Sequence, residues 1–459
     1  MTDTASPPGN GELDDLAIIN AHIVTMDDAG TISDGVVSVR NGIINRVGRA
    51  REVRASARRT IDARNGVVLP GLVNAHTHIA SNMLLRSLDE DVELWDWLRS
   101  MWTMKRNFDD ETLYWASLCG LIEMAKGGIT TFNEHFDAYA VEPEVRALER
   151  VPLRATLGYG FADRGVYESI TDWSWATLDS FGEKVAKHHG RGGGRVQVAL
   201  SPHAPYSVGA EMWRRCREVA DEFGLTIHTH LAEGMNEVRY MAETYGTTTV
   251  QWLDAMEFLG PDVTAAHCTR LDGRDIEILA ARDVKIAHCP ISNAKLVSGT
   301  MDLGAVMEAG ITVGLATDGP ASHNTLDMFE EMKFAGLIHK DRTQDPTFLK
   351  APEILRMATT GSAAAMHRPG LGRIAQGAPA DLVVVDLDVP HALPAYSIES
   401  TLVYSSRPDD VRYTIVGGQV IVDDRQVVGI DEEEIRHRFR EHAMALRERS
   451  MSTPARIHQ

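Results

Sequence analysis

Trp213 to Phe223, then Gly224, then Leu225-Thr-Ile-His-Thr-His-Leu-Ala-Glu233: this stretch carries the rhythm that decides the fold. An amphipathic helix follows Ser207, whose hydroxyl is placed to cap it, and stops at Gly224, a residue suited to the left-handed turn of a helix end. A short apolar run begins at once and ends in a histidine, with a glutamate three residues on. Helix, glycine, buried strand and a reactive side chain at the strand exit form the repeating unit of a parallel α/β sheet.

The unit recurs. Apolar runs at residues 67–74, 129–132, 153–158, 196–200, 225–230, 263–267, 284–288 and 311–317 alternate with helical stretches, one of which opens at Glu111 and ends at Gly127-Gly128. Such a series of buried strands predicts an α/β protein, a TIM-type (β/α)₈ barrel over residues 67–376. The flanks differ. Residues 15–66 and 377–428 are rich in short Val/Ile runs, including 380–385, 400–404 and 411–422, with turns such as Asn41-Gly42. Neither half is long enough for a core of its own, so the two are expected to pair into one small β-sandwich domain. Residues 1–14 read as a disordered tail, and 429–459, charged from Asp431, as a solvated helix with a frayed end.

Lys plus Arg number 46 and Asp plus Glu 65, a net charge of −19. That balance repels nucleic-acid phosphates and anionic membranes, so neither is an expected partner. No apolar run is long enough to span a bilayer and no secretory segment is apparent. The cysteines (Cys119, Cys216, Cys268, Cys289) form no CxxC and read as buried thiols of a reducing cytoplasm. A cytoplasmic protein acting on a small molecule is expected, with a homo-oligomer left open.

Chemistry gathers at the strand exits. His76 and His78, two apart on a strand, project to one side. They make half of a tetrahedral metal site. His230 ends the fifth run with Glu233 in the loop beyond, His267 ends the sixth, and Ala316-Thr317-Asp318 the eighth. Imidazole and carboxylate ligands beside a free carboxylate suit metal-assisted hydrolysis. His228, one layer below His230, reads as a supporting core histidine, and His288 as support for the turn at 290–293.

Leu69-Pro-Gly-Leu-Val-Asn-Ala-His-Thr-His78 resembles the first-strand signature of the amidohydrolase superfamily. His230-Leu-Ala-Glu233, Ala266-His267, His288-Cys-Pro-Ile-Ser-Asn293 and Thr317-Asp-Gly319 resemble its later strand ends. The segments from Asn324 to Lys333 and Gly377 to Asp386 are similar to the branch holding adenosylhomocysteine deaminases, guanine deaminases and triazine hydrolases. The resemblance implies one divalent metal ion on His76, His78, His230 and Asp318, with Glu233, His267 and Asp318 as the catalytic set. Zn²⁺ is the simplest ion, and Fe²⁺, Mn²⁺ or Co²⁺ suit the same ligands. The fourth strand ends Ser201-Pro202-His203 without a lysine, which argues against the lysine-bridged two-metal form. In the implied mechanism Asp318 takes a proton from the attacking water, His267 orients the attack and Glu233 passes the proton to the leaving group.

The substrate is read from the loops. Trp95, Trp97 and Trp102 suit a planar ligand. His203-Ala-Pro-Tyr206 resembles a motif of nucleoside-type deaminases whose histidine faces the substrate, and Glu134 and His135 exit the second strand beside the metal. Those deaminases carry a ribose-binding glutamate shortly after a Trp-Leu pair; counted without gaps from Trp97-Leu98, Arg106 falls there. A guanidinium is donor-only, so the expected reaction is hydrolytic deamination of an unribosylated purine, pterin or triazine. Cleavage of an amide, urea or carbamate, or dechlorination of a triazine, is the alternative, and a catalytically dead scaffold the alternative outside enzymes. A nucleic-acid-editing deaminase is excluded, since Cys289-Pro290 does not extend to its P-C-x-x-C signature.

Overall fold

In a computed structural model, which describes residues 13–452 apart from 55, 89–90, 93 and 136–140, eight strands form one sheet in chain order. They are Leu72–Thr77, Ile129–His135, Arg154–Phe161, Val196–Pro202, Ile227–Leu231, Val263–His267, Lys285–His288 and Val313–Leu315. All neighbours are parallel. The last strand is short, and side chains complete its join to the first. Asn74 Nδ2 donates to Thr317 Oγ1 at 2.8 Å, Thr317 N to Asn74 Oδ1 at 3.1 Å, and Asp318 N to His76 O at 3.0 Å. These bonds close the barrel and bring Asp318 beside His76. Small side chains, among them Ala75, Ala266, Ala287 and Ala316, fill its interior, and the larger apolar core lies between strands and surrounding helices.

The run at 67–74 divides in two. Val67–Pro70 belongs to a different sheet, paired with Asp14–Val24 on one side and Leu382–Val385 on the other, and only Leu72–Thr77 enters the barrel. Gly71 marks the crossing: a Cβ there would lie 2.0 Å from Thr130 Oγ1, so no side chain fits. Both chain ends thus meet on Val67–Pro70. The strands expected as a sandwich are hydrogen-bonded into one nine-stranded sheet, with an apolar cluster (Ile18, Val37, Val68, Leu382, Ile415) drawn from both ends.

Three further differences have local causes. The stretch 400–404 lies in a helix, Ile398–Tyr404, because the Ser397 side chain caps it by accepting from Ser400 N, and Leu402 and Val403 are buried on one side. The helix Ala210–Phe223 does end at left-handed Gly224, but Ser207 does not cap it; its hydroxyl is used at the active site. The C-terminal helix Glu432–Ser452 is docked rather than merely solvated. It buries Ile435 and Leu446 and is pinned to the helix Asp110–Lys126 and its cap by Lys126–Glu432 (2.8 Å) and Arg449–Asp109 (2.9 Å). Cys216, Cys268 and Cys289 are buried and Cys119 is half-buried. The tail expected at 1–14 lies outside the described residues up to 12, as does the C-terminal end from 453. Among the described residues no helix is long and apolar enough to cross a membrane.

Candidate active site

Parallel strands deliver their C-terminal ends to one face, where barrels carry their chemistry. There His76 Nε2 lies 3.3 Å from Asp318 Oδ1, His78 Nε2 lies 3.4 Å from the same oxygen, and His78 Nε2 is 3.2 Å from His230 Nε2. Metal–ligand bonds of about 2.0–2.1 Å in a tetrahedron would hold ligand atoms roughly 3.3–3.4 Å apart, so this donor set fits one small divalent cation. The buried Nε2 of His76 has no hydrogen-bond partner, as a metal-directed nitrogen should not. Ligand atoms of His267 and His135 also lie within 4.8 Å of members of the cluster.

Three of the four candidate ligands, His76, His230 and Asp318, are oriented from behind. His230 Nδ1 donates to His203 O at 2.8 Å, leaving Nε2 as the free lone pair. His76 Nδ1 meets His228 Nε2 at 2.8 Å, which gives His228 its supporting role. Asp318 Oδ2 accepts from Ser292 Oγ (2.7 Å) and Ser322 Oγ (2.8 Å), so Oδ1 is the oxygen turned to the histidines. Burial opposes ionisation of Asp318, but the His76 imidazole against Oδ1 and the nearby His267 and His78 hold its carboxyl well below the usual range. His267 and Asp318 both have positive φ (73° and 60°), a sharp turn of the backbone at the strand exit.

Glu233 sits at the mouth. Burial, then the charge of Asp318, push its carboxyl up to about 8, against a weak opposing contact with Ser298. Its backbone is clamped: Ala232 N and Glu233 N donate to the two oxygens of Glu237 at 2.8 and 3.0 Å, and Thr269 Oγ1 donates to Glu233 O at 2.5 Å. His267, pushed down to about 4 chiefly by burial, is a neutral imidazole at pH 7, hydrogen-bonded to Asn293 at 2.9 Å. Asn293 belongs to a short helix, Pro290–Lys295, where the sequence suggested only a turn. His288 pairs instead with His339, Nε2 to Nε2 at 2.8 Å.

A small cavity opens over these groups, with His78, His230, Glu233, His267 and Asp318 in its lining. His203 is among the residues that line it. Ser207 Oγ donates to Ala204 O (3.0 Å), so it accepts from His203 Nδ1 (2.7 Å), leaving Nε2 as an acceptor 3.3 Å from the Tyr167 hydroxyl. The other wall is the helix Leu94–Lys105, which presents Trp97, Leu98, Met101 and Lys105.

Four of the expected substrate contacts fall elsewhere. Arg106 is exposed just past the helix end, while Lys105, one residue earlier, is 2% exposed and lines the cavity. One helical residue turns the side chain by about 100°, so the ungapped count chose the wrong neighbour. Trp102 stands behind Tyr167, ring centroids 4.8 Å apart, and Trp97 takes the lining position; the side chain of Trp95 lies outside the described residues. Glu134 accepts from Ile79 N and Ala80 N (2.8 and 3.2 Å), fixing the turn after His78 rather than facing the cavity. His135 packs within the histidine cluster, 4.4 Å from the His230 ring. Sequence reasoning missed Lys105, Tyr167 and Glu237. Only Glu237 had a signal, its place one helical turn after Glu233.

Fold and site together define a barrel hydrolase with a metal centre at the strand exits. Residues 67–421 match the amidohydrolase family, and the chain belongs to it. It is a hydrolase acting on carbon–nitrogen bonds. The 5'-deoxyadenosine deaminase of Methanosarcina barkeri is 39% identical over 424 residues, 92% of this chain and 96% of that protein. The 5-methylthioadenosine/S-adenosylhomocysteine deaminase of Thermococcus sibiricus is 40% identical over 410 residues, 89% of this chain and 94% of that protein. Among solved structures, a zinc-bound adenosine deaminase of Xanthomonas campestris aligns with TM-score 0.88 at 30% identity, covering 97% of this chain and 100% of that one. The zinc complex of atrazine chlorohydrolase from Arthrobacter aurescens gives 0.84 at 25%, covering 93% and 100%. These relatives act on ribosylated compounds as well as triazines, and the ground for expecting an unribosylated substrate, Arg106 in the pocket, is gone.

Proposed function

We propose that the protein is a metal-dependent deaminase of adenosine-type nucleosides, replacing the 6-amino group of the purine by oxygen with release of ammonia. One observation carries the reading: identity of 39–40% to deaminases of 5'-deoxyadenosine and of methylthioadenosine or adenosylhomocysteine, along about nine-tenths of the chain. The relatives extend across both the barrel and the terminal sheet, so the likeness is not confined to the metal-site motifs.

In this reading one divalent ion, zinc first, is held by His76, His78, His230 and Asp318. Such an ion supplies Lewis acidity and a water acidified to near neutrality. The chain does the rest. Asp318, its Oδ2 fixed by two serine hydroxyls, receives a proton on the oxygen that faces the site. Glu233, kept protonated near pH 7 by burial, gives its proton to the ring nitrogen beside the attacked carbon, takes up the second proton of the added water and gives that one to the departing amine, and the proton held by Asp318 then restores it. Neutral His267 aligns the attacking oxygen. His203, with Nδ1 on Ser207 and Nε2 facing the Tyr167 hydroxyl, forms part of the wall that the substrate meets.

The test is ammonia release from adenosine, 5'-deoxyadenosine, methylthioadenosine and adenosylhomocysteine by the zinc-loaded enzyme, with adenine and aminotriazines as comparison substrates. Turnover of a nucleoside with the free bases inert is the expected result. Turnover of free bases or triazines alone overturns it.

A further inference from the structure

Glu331 belongs to the segment Asn324 to Lys333 and is fully buried in the first turn of the helix Met328–Thr343. Nothing in the proposed reaction uses it, yet its carboxylate joins two stretches of chain. Oε2 lies 2.7 Å from His323 Nε2, and Oε1 accepts from Ile291 N at 3.2 Å. The His323 tautomer follows from its other nitrogen. Thr325 N can only donate, so Nδ1, 3.3 Å away, is the acceptor and Nε2 carries the proton given to Glu331.

Each stretch ends on a group of the active site. Ile291 lies in the short helix Pro290–Lys295, whose Ser292 donates to Asp318 Oδ2 at 2.7 Å and whose Asn293 meets His267 Nδ1 at 2.9 Å. His323 closes the turn after Asp318: Ser322 N and His323 N both donate to Gly319 O, and the Ser322 hydroxyl is the second donor to Asp318 Oδ2. One carboxylate thus ties together the two segments that aim Asp318 and His267. Burying a carboxylate is costly, and a well-packed apolar pair of the same volume would often be as stable, so stability alone does not account for Glu331. We propose that Glu331 is a positioning residue of the hydrolytic centre: through Ile291 and His323 it holds Ser292 and Ser322 on Asp318, and Asn293 on His267. The inference rests on the roles given to Asp318 and His267 under the deamination reading, not on which compound is the substrate.

The experiment has two arms on the full-length protein: zinc affinity by competition with a chelator, which needs no substrate, and kcat and KM for ammonia release from methylthioadenosine. Glu331→Gln keeps the shape, but its amide can accept at only one of the two places. It should lower zinc affinity and kcat each by roughly 10-fold, the scale on which partners of metal ligands act, with KM within about twofold. His323→Gln, which keeps a donor near the place of Nε2, should retain most of both, and His323→Leu should lose them. The deciding background is Ser292→Ala with Ser322→Ala, where the link to Asp318 is already cut. There Glu331→Gln should cost less than about twofold further in zinc affinity, whereas a merely structural Glu331 would add its full cost. Wild-type zinc affinity or kcat in Glu331→Gln, or an equal loss of affinity with and without the two serines, overturns the proposal. Thermal unfolding establishes that each variant is folded; should Glu331→Gln fail to fold, His323→Leu decides in the same background. If the wild-type protein releases no ammonia from methylthioadenosine, the affinity arm still judges Glu331, and the deamination reading alone falls.

Discussion

The two sides of the cavity are built on different principles. On the strand-exit side, the groups around the cluster are held by others: His76 by His228, His230 by the His203 carbonyl, Asp318 by Ser292 and Ser322, and Glu233 through its backbone by Glu237 and Thr269. On the helix side, Leu94–Lys105 contributes apolar surface and one ammonium from a segment inserted between the first barrel strand and the helix Asp110–Lys126. The first arrangement fixes reacting atoms to within fractions of an ångström, as catalysis requires. The second can change its side chains without disturbing the barrel, as a change of substrate requires. Reaction and selectivity thus sit on separable parts of the fold.

That separation can be broken most sharply at the metal. Stripping the protein with a chelator should remove about one divalent ion per chain and abolish activity, with recovery on adding zinc. Two ions per chain, or activity in the stripped protein, would defeat the ligand assignment. Next in size is Glu233→Gln, for which turnover should fall roughly 10²-fold or more while bound metal stays near the wild-type amount. Near-normal turnover takes Glu233 out of the proton path.

The supporting layer is tested at Glu237. Replacing it with Ala leaves two buried backbone N–H groups without their acceptor, which costs about 1–3 kcal/mol each when unsatisfied. Both stability and kcat should drop, and Glu237→Gln, which keeps one acceptor oxygen, should recover part of each. A variant that loses stability but keeps full turnover per folded molecule would restrict Glu237 to a structural role. The smallest effect is expected on the outer face of the wall helix. Arg106→Ala should leave kcat/KM within about twofold, as exposed positions away from special features usually do. A larger loss would mean that this exposed residue touches substrate.

Away from the site, Glu142 offers a pH test of the barrel's helical layer. Its hydrogen bond to His188, opposed by partial burial and reinforced by Lys187, depresses the carboxyl well below the ordinary value. A depressed carboxylate contributes stability above its unfolded pKa and loses it as pH falls through the folded one. Glu142→Gln should therefore narrow the difference between unfolding temperatures at pH 7 and at acid pH. An unchanged difference would show the contact to be inert.

The sequence by itself determined the barrel, because eight apolar runs of strand length separated by amphipathic stretches have few other ways to be buried. It also placed the histidines and Asp318 at strand exits, since alternation along a strand and the end of an apolar run are local properties. What it could not determine was which side of a helix faces the cavity when no strand sets the register. Lys105 and Arg106 are chemically alike and adjacent, and only the packing of Trp97, Leu98 and Met101 against the barrel mouth turned one inward. The same holds for Gly71, whose contact with Thr130 splits one apolar run between two sheets, and for residues 400–404, where a serine cap and burial on one side made a helix of a β-rich string. Tyr167, reached only through the hydrogen bond to His203 that Ser207 orients, had no trace in the sequence at all. Periodicity records the burial of a segment against its own neighbours. Contacts between segments far apart in the chain leave no such record, and these decided the wall of the pocket.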